Sequence, residues 1–113
     1  MSRLQPHARS IDLREMGAAK AAGLSEERWR HLERAHIVSQ SDPWLHTRNH
    51  AAMLALALRQ HDRREALGQV LRLIVAAPGS LSGRYPHGNT GRVATGLMTP
   101  MPMPPDLASE LSK

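Results

Sequence analysis

The sequence predicts an all-α fold: four helices paired as two α-hairpins, then a Gly/Pro-rich extended segment packed on them and a short terminal helix. Three observations carry this. Helix start and stop signals recur through residues 10–77. Apolar residues between those signals recur at helical spacing. Gly and Pro then crowd into residues 78–105, where no helical period is visible.

Ser10 is placed to cap the first helix, with Asp12 and Glu15 in its first turn and Gly23 as its stop. Leu24 follows that Gly, where a hydrophobic contact accompanies a glycine C-cap. Ser25 caps the second helix, and Glu26 and Glu27 lie where the helix dipole favours anions. Its apolar stripe includes Trp29, Leu32 and Ile37, and it ends near Gln40. The third helix starts with Asp42 as N-cap and Pro43 at the first helical position, where a missing N–H costs nothing. It is almost wholly apolar from Ala51 to Leu58, so it is expected to be the most buried element. Asp62 and Glu65 form a capping box for the fourth helix, whose expected core face is Leu67, Val70, Leu71, Ile74 and Val75, with Pro78-Gly79 as its end. The run Pro100-Met-Pro-Met-Pro-Pro favours polyproline II geometry, with Met101 and Met103 inserted among the helices. Asp106 caps a last helical stretch, Leu107 to Leu111. Residues 10–77 thus form a helical core and residues 78–113 an irregular C-terminal segment of the same single domain. The hairpin spacing is loosely tetratricopeptide-like, but two hairpins are fewer than the ~3 repeats a solenoid needs.

At 113 residues the chain fits one domain. Apolar residues make up 41% but aromatics only 3%, so the core must come from Leu, Ala, Met, Ile and Val. The absence of cysteine excludes disulfides, thiolate metal sites and Cys nucleophiles. No apolar run reaches the ~20 residues of a membrane span, and Met1 to Ser10 lacks the apolar stretch of a secretory leader. A cytoplasmic protein is expected. The net charge is +5, and the excess lies in residues 43–77, around Arg59, Arg63, Arg64 and Arg72. The scarcity of aromatics and the lack of a dense basic stripe argue against nucleic acid as a partner.

Several segments together resemble a known family. They are Leu32-Glu33-Arg34-Ala35-His36-Ile37 with Gln40, His46-x-x-x-His50-x-x-Met53-Leu54, Asp62-x-x-Glu65-x-x-Gly68-Gln69-x-x-Arg72, Pro86-x-Gly88-Asn89-Thr90-Gly91, and the closing Pro100-Met-Pro-Met-Pro with Asp106-Leu107. Over residues 10–111 the chain resembles a family of short bacterial proteins catalogued as a domain of unknown function. The resemblance implies no activity; it implies a loose association with heavy-metal resistance.

Three of the seven histidines fall into a pattern. His46 and His50 are spaced i, i+4 and project from one side of the third helix. Glu33 and His36 have the Glu-x-x-His spacing of carboxylate-rich metal sites in helical bundles. Antiparallel packing around the turn from Gln40 to Pro43 brings the two pairs to matching heights. Glu33, His36, His46 and His50 are therefore the candidate metal ligands, with Glu65 as a further ligand or behind them. Imidazole with one or two carboxylates suits Zn, Ni, Co, Cu(II) or Fe(II) rather than Ca or Mg. The same residues can equally form a structural network, with Glu33 paired to an arginine and Glu65 occupied in capping. His7, His31, His61 and His87 have no partner pattern and are expected at the surface. The Gly88-Asn89-Thr90-Gly91 stretch reads as a tight turn, since no strand precedes it and no Lys-Ser/Thr follows.

The expected function is a non-enzymatic transition-metal-binding or metal-handling accessory protein. The alternative is a helical-hairpin interaction module in which the His/Glu cluster is a structural network and a protein is the partner. A metal-dependent enzyme requires an open coordination position.

Overall fold

A computed structural model describes residues 4–113, and among them every regular element is helical. Helix α1 spans Pro6–Ala21, α2 Ser25–Ser39, α3 Pro43–Arg59, α4 Arg63–Ser82 and α5 Pro105–Leu111, with a single 3₁₀ turn at Val93–Thr95. Helix α1 packs on α2, α2 on α3 and α3 on α4, while α5 returns to α1.

Local chemistry explains most boundaries. Asp42 caps α3, its side chain accepting from the Trp44 and Leu45 backbone N–H groups. Asp62 caps α4 by accepting from the Glu65 N–H at 3.0 Å. The turn between them places His61 at φ +57, the only non-glycine residue in the left-handed region among the described residues. Three starts differ from expectation: α5 begins at Pro105 with Pro104 as its N-cap, so Asp106 lies in the first turn, where its charge suits the helix dipole, rather than capping it. Helix α1 begins four residues before Ser10, because Pro6 can occupy its first turn without losing a hydrogen bond. Leu24, not Ser25, is the N-cap of α2 and makes no side-chain cap bond; the Ser25 hydroxyl instead accepts from Gln60 Nε2.

Pro78 does not end α4. The helix continues through it to Ser82 and stops at Gly83, whose φ of +73 closes it in the left-handed conformation. The bond that Pro78 cannot donate would have gone to the carbonyl of Ile74, an exposed residue whose environment lets water take its place.

The core lies in two clusters. Ala19, Trp29, Leu32, Met53, Leu56, Ala57 and Ala66 form one, at the crossing of α1 to α4. Ile11, Ile37, Val38 and Leu107 form the other, with Met103 of the tail packed against them. Trp29 is the one buried aromatic; its Nε1–H donates to Gln60 Oε1, and the Arg92 guanidinium lies 3.7 Å from its ring centroid. Helix α3 is not the most buried element: Ala51, Ala55 and Leu58 are exposed, while α2 buries its whole last turn and a half.

The largest departure is in α4. The expected core face points outward, with Leu67 74% and Ile74 68% exposed and Val70, Leu71 and Val75 also exposed. The buried stripe is Glu65, Ala66, Gln69, Arg72, Ala76 and Ser80. These positions repeat at three- and four-residue intervals just as the apolar ones do, so periodicity alone could not choose between the faces. The polar face wins because its partners, described next, lie inside the bundle.

Candidate metal centre

His46 and His50 lie one turn apart on α3 and face α2, which presents His36 near its C-terminal end. All three are buried. Their Nε2 atoms form a nearly equilateral triangle: His36 to His50 is 3.0 Å, His36 to His46 3.1 Å, and His46 to His50 3.1 Å. The rings meet edge-on or tilted rather than stacked, with centroids 4.6–4.9 Å apart. These three are the group of residues able to hold a metal ion found among the described residues.

The opposite edge of each ring fixes its tautomer. His36 Nδ1 lies 2.6 Å from the Asn89 carbonyl oxygen, which can only accept, so the nitrogen carries the proton. His46 Nδ1 lies 2.9 Å from Ser80 Oγ. The Ser80 proton goes to the Gln40 carbonyl, so Oγ accepts from the His46 ring. His50 Nδ1 lies 2.7 Å from Gln69 Oε1. The Gln69 amide nitrogen donates to Glu65 Oε2 at 2.8 Å and to the Gly91 carbonyl at 2.9 Å, which orients the amide and makes Oε1 the acceptor. Each Nδ1 is therefore N–H, and each Nε2 presents a lone pair. Three lone pairs converge with no proton among them, so the short Nε2 separations are not hydrogen bonds.

Burial keeps the rings neutral. It pushes His46 from 6.5 down to about 3, assisted by neighbouring His50 and partly offset by the Ala76 carbonyl. It pushes His50 down to about 4 against the support of Gln69. His36 lies well below its ordinary value, from burial and then the two neighbouring imidazoles. Neutral imidazole is the metal-binding form.

Glu33 does not join the rings. Its carboxylate pairs with Arg92 at 3.3 Å, and it is partly exposed. Glu65 stands one residue behind: Oε1 receives Arg92 Nε at 3.0 Å, while Oε2 receives Gln69 Nε2 and the Val93 N–H. It thereby orients Gln69, which orients His50. Asn89, Ser80 and Gln69 are the residues that sequence reasoning missed. Asn89 lay in the stretch read as a turn, and it is one: Gly88 and Gly91 have φ of +76 and +83, and Asn89 Oδ1 accepts from the Gly91 N–H. A Cβ on Gly91 would lie 2.6 Å from the His36 ring, so the glycine also lets the loop reach the imidazole. Gln69 and Ser80 sat on the side of α4 opposite the apolar residues, which was the available signal. His61 and His87 are exposed as expected, His7 donates to the Glu110 carbonyl at the surface, and His31, half-buried, pairs with Glu15.

The three imidazoles border a cavity of about 40 Å³ whose wall also includes Gln40, Arg72 and, toward the exterior, exposed Arg84 and Met98. Three nitrogens bound at 2.0–2.1 Å to a tetrahedral ion, or on one face of an octahedral ion, stand about 2.8–3.4 Å apart. The observed triangle of 3.0–3.1 Å lies within that range.

No curated protein and no solved structure matches this chain. A family model does, over residues 5–111, described as a protein of unknown function. With nearly its whole length matched, helices and histidine cluster included, the chain belongs to the DUF3703 family.

Proposed function

We propose that this protein binds one divalent transition-metal ion through Nε2 of His36, His46 and His50, and that it serves in metal handling. The observation that carries this reading is the convergence of three lone pairs, each locked in place by an acceptor on the far side of its ring. A purely structural network gains nothing from facing acceptors toward one another, whereas a cation satisfies all three at once. The back-side partners are those expected of metal-ligating histidines, whose second ring nitrogen donates to a carbonyl, carboxylate or other acceptor. An all-imidazole donor set suits Zn, Co, Ni, Cu(II) or Fe(II). It does not suit Ca or Mg, since no carboxylate joins the triangle.

The test is a titration of chelator-treated protein with Zn(II), Co(II), Ni(II) and Cu(II). One equivalent should bind and raise the thermal midpoint, and His50→Ala should lose this response while its far-ultraviolet circular dichroism stays helical. An unchanged midpoint across all four ions contradicts the reading.

One observation favours a second reading, an interaction module with a protein partner. The outer face of α4 exposes Leu67, Leu71 and Ile74 one turn apart, beside exposed Arg63 and Arg64. A metal-indifferent protein that nonetheless captures a partner, less well after substitution of Arg63 or Arg64, would support that reading instead.

A further inference from the structure

The cavity beside the imidazoles contains two polar side chains that the histidine network does not use. Arg72 is only 6% exposed, and its one described hydrogen bond runs from Nη1 to the Gly68 carbonyl of its own helix, at 3.2 Å. No carboxylate lies within ion-pair distance of it among the described residues. Glu65, whose charge acts on it, is already engaged by Arg92, Gln69 and the Val93 N–H. Gln40 is 2% exposed, its Oε1 has no hydrogen-bond partner, and it lines the same cavity. Buried polar groups of this kind are ordinarily satisfied, and a buried charge is ordinarily paired.

Charge balance points the same way. Three neutral imidazoles around a divalent ion leave its charge uncompensated, and the Arg72 guanidinium adds a further positive charge at the wall of the cavity. No acidic side chain lines this cavity. Two cations lining one small cavity repel unless an anion lies with them.

Resting on the metal reading above, we infer that this cavity binds a small monoanion, which occupies the remaining coordination position of the ion and accepts hydrogen bonds from Arg72. Gln40 Oε1 only accepts, so it bonds to such a guest only where the guest carries a proton, as hydrogencarbonate does. The volume of about 40 Å³, roughly three water-sized spaces, suits a guest of three or four heavy atoms. That selects a compact monoanion of the azide, formate or hydrogencarbonate type over a nucleotide, a sugar phosphate or a peptide carboxylate. Because binding is reciprocal, the anion and the metal strengthen each other by the same factor.

The experiment uses the full chain loaded with Co(II), whose visible spectrum reports its coordination, and azide as the probe. Azide should shift the cobalt bands saturably with one equivalent bound, and should tighten cobalt binding by the factor by which cobalt tightens azide. Arg72→Gln should still bind cobalt, as tightly or more tightly in azide-free buffer, yet bind azide at least tenfold more weakly. Arg72→Lys, which keeps the charge, should recover part of the loss. A merely structural arginine would not move metal and anion affinity in opposite directions. Cobalt binding with no azide response, or an azide affinity equal in wild type, Arg72→Gln and Arg72→Lys, overturns this inference and leaves the metal reading standing. Failure to bind cobalt at all overturns both.

Discussion

The molecule holds two polar networks, and they are built on opposite plans. On the α1–α2–α5 side, acids meet bases. Glu15 receives Arg34 at 3.1 Å and His31 at 3.0 Å, Arg34 reaches Asp106 at 3.0 Å, Arg14 pairs with Glu110, and Arg48 lies 2.7 Å from Asp12. On the α2–α3–α4 side, three neutral rings point acceptors at one another and are pinned from behind by Asn89, Ser80 and Gln69. The first network is held by charge matching, with Asp12 Oδ1 and Arg48 Nε left over at its edge, and Arg14, Arg34, Asp106 and Glu110 fix the terminal helix to the bundle. The second is closed at its rim and open at its centre. A cluster whose opposite charges meet is architecture; one whose like acceptors share a point is a receptor for something of opposite character.

The sharpest way to break this contrast is to supply the missing cation. At about a hundredfold excess over its dissociation constant, a bound ion stabilises the native state by about 2.7 kcal/mol. For a domain of this size the midpoint should rise by about 10 °C. Differential scanning fluorimetry should show that rise in wild type and none in His46→Ala, while Glu15→Gln on the other side lowers the baseline midpoint and keeps the metal-induced rise.

Asp12 of the first network and the imidazoles of the second have opposite pH signs. His46 and His50 titrate in the native state at about 3 and about 4, below the 6.5 of the unfolded chain. Their contribution to metal-free stability is complete above pH 6.5 and is lost as pH falls through those values, because the unfolded state takes up the protons first. At ~1.4 kcal/mol per pH unit of displacement the loss reaches a few kcal/mol. Asp12 runs the other way: burial raises it from 3.8 to about 6, opposed by Arg48, so its contribution is greatest below pH 3.8 and declines as pH rises through 6. Urea denaturation of metal-free protein between pH 7 and pH 4 should show a net loss of stability toward acid, and Asp12→Asn should steepen it.

Gly91→Ala tests the loop that joins the centre to the tail. The new Cβ meets the His36 ring, and φ of +83 is strained for alanine, so a loss of about 1–3 kcal/mol with weakened metal binding is expected. Chemical denaturation and a zinc titration measure the two effects separately. Ser80→Ala removes the acceptor behind His46 and should lower metal affinity 10–100-fold with little change of fold. The smallest effect belongs to the outer face of α4. Leu67→Gln or Ile74→Gln should change the stability of the isolated protein by less than about 0.5 kcal/mol, since both side chains are already solvated.

How much of this could be read in the sequence depended on whether the deciding partners were near in the chain. The caps at Asp42 and Asp62 and the i, i+4 pair of His46 and His50 are local, and their signals were plain. The choice of the buried face of α4 was not, since it is decided by Gln69 meeting His50 and Ser80 meeting His46, contacts 19 and 34 residues apart. Both faces of that helix carry the same period, and hydrophobicity named the wrong one. Glu33 shows the same limit from the other side. Its spacing to His36 fits a ligand pair, but Arg92, 59 residues later, holds its carboxylate. The Asn89 carbonyl was illegible because it is backbone, positioned by a loop whose own geometry depends on Gly88 and Gly91.

Three imidazoles sharing one ion leave a distinct scattering signature. X-ray absorption at the zinc edge of the zinc-loaded protein tests for it most directly. One zinc per chain is expected, with imidazole scattering from three nitrogens at about 2.0–2.1 Å, reduced in each of His36→Ala, His46→Ala and His50→Ala. Zinc held only by oxygen, or a spectrum unchanged in those three variants, would contradict a shared ion.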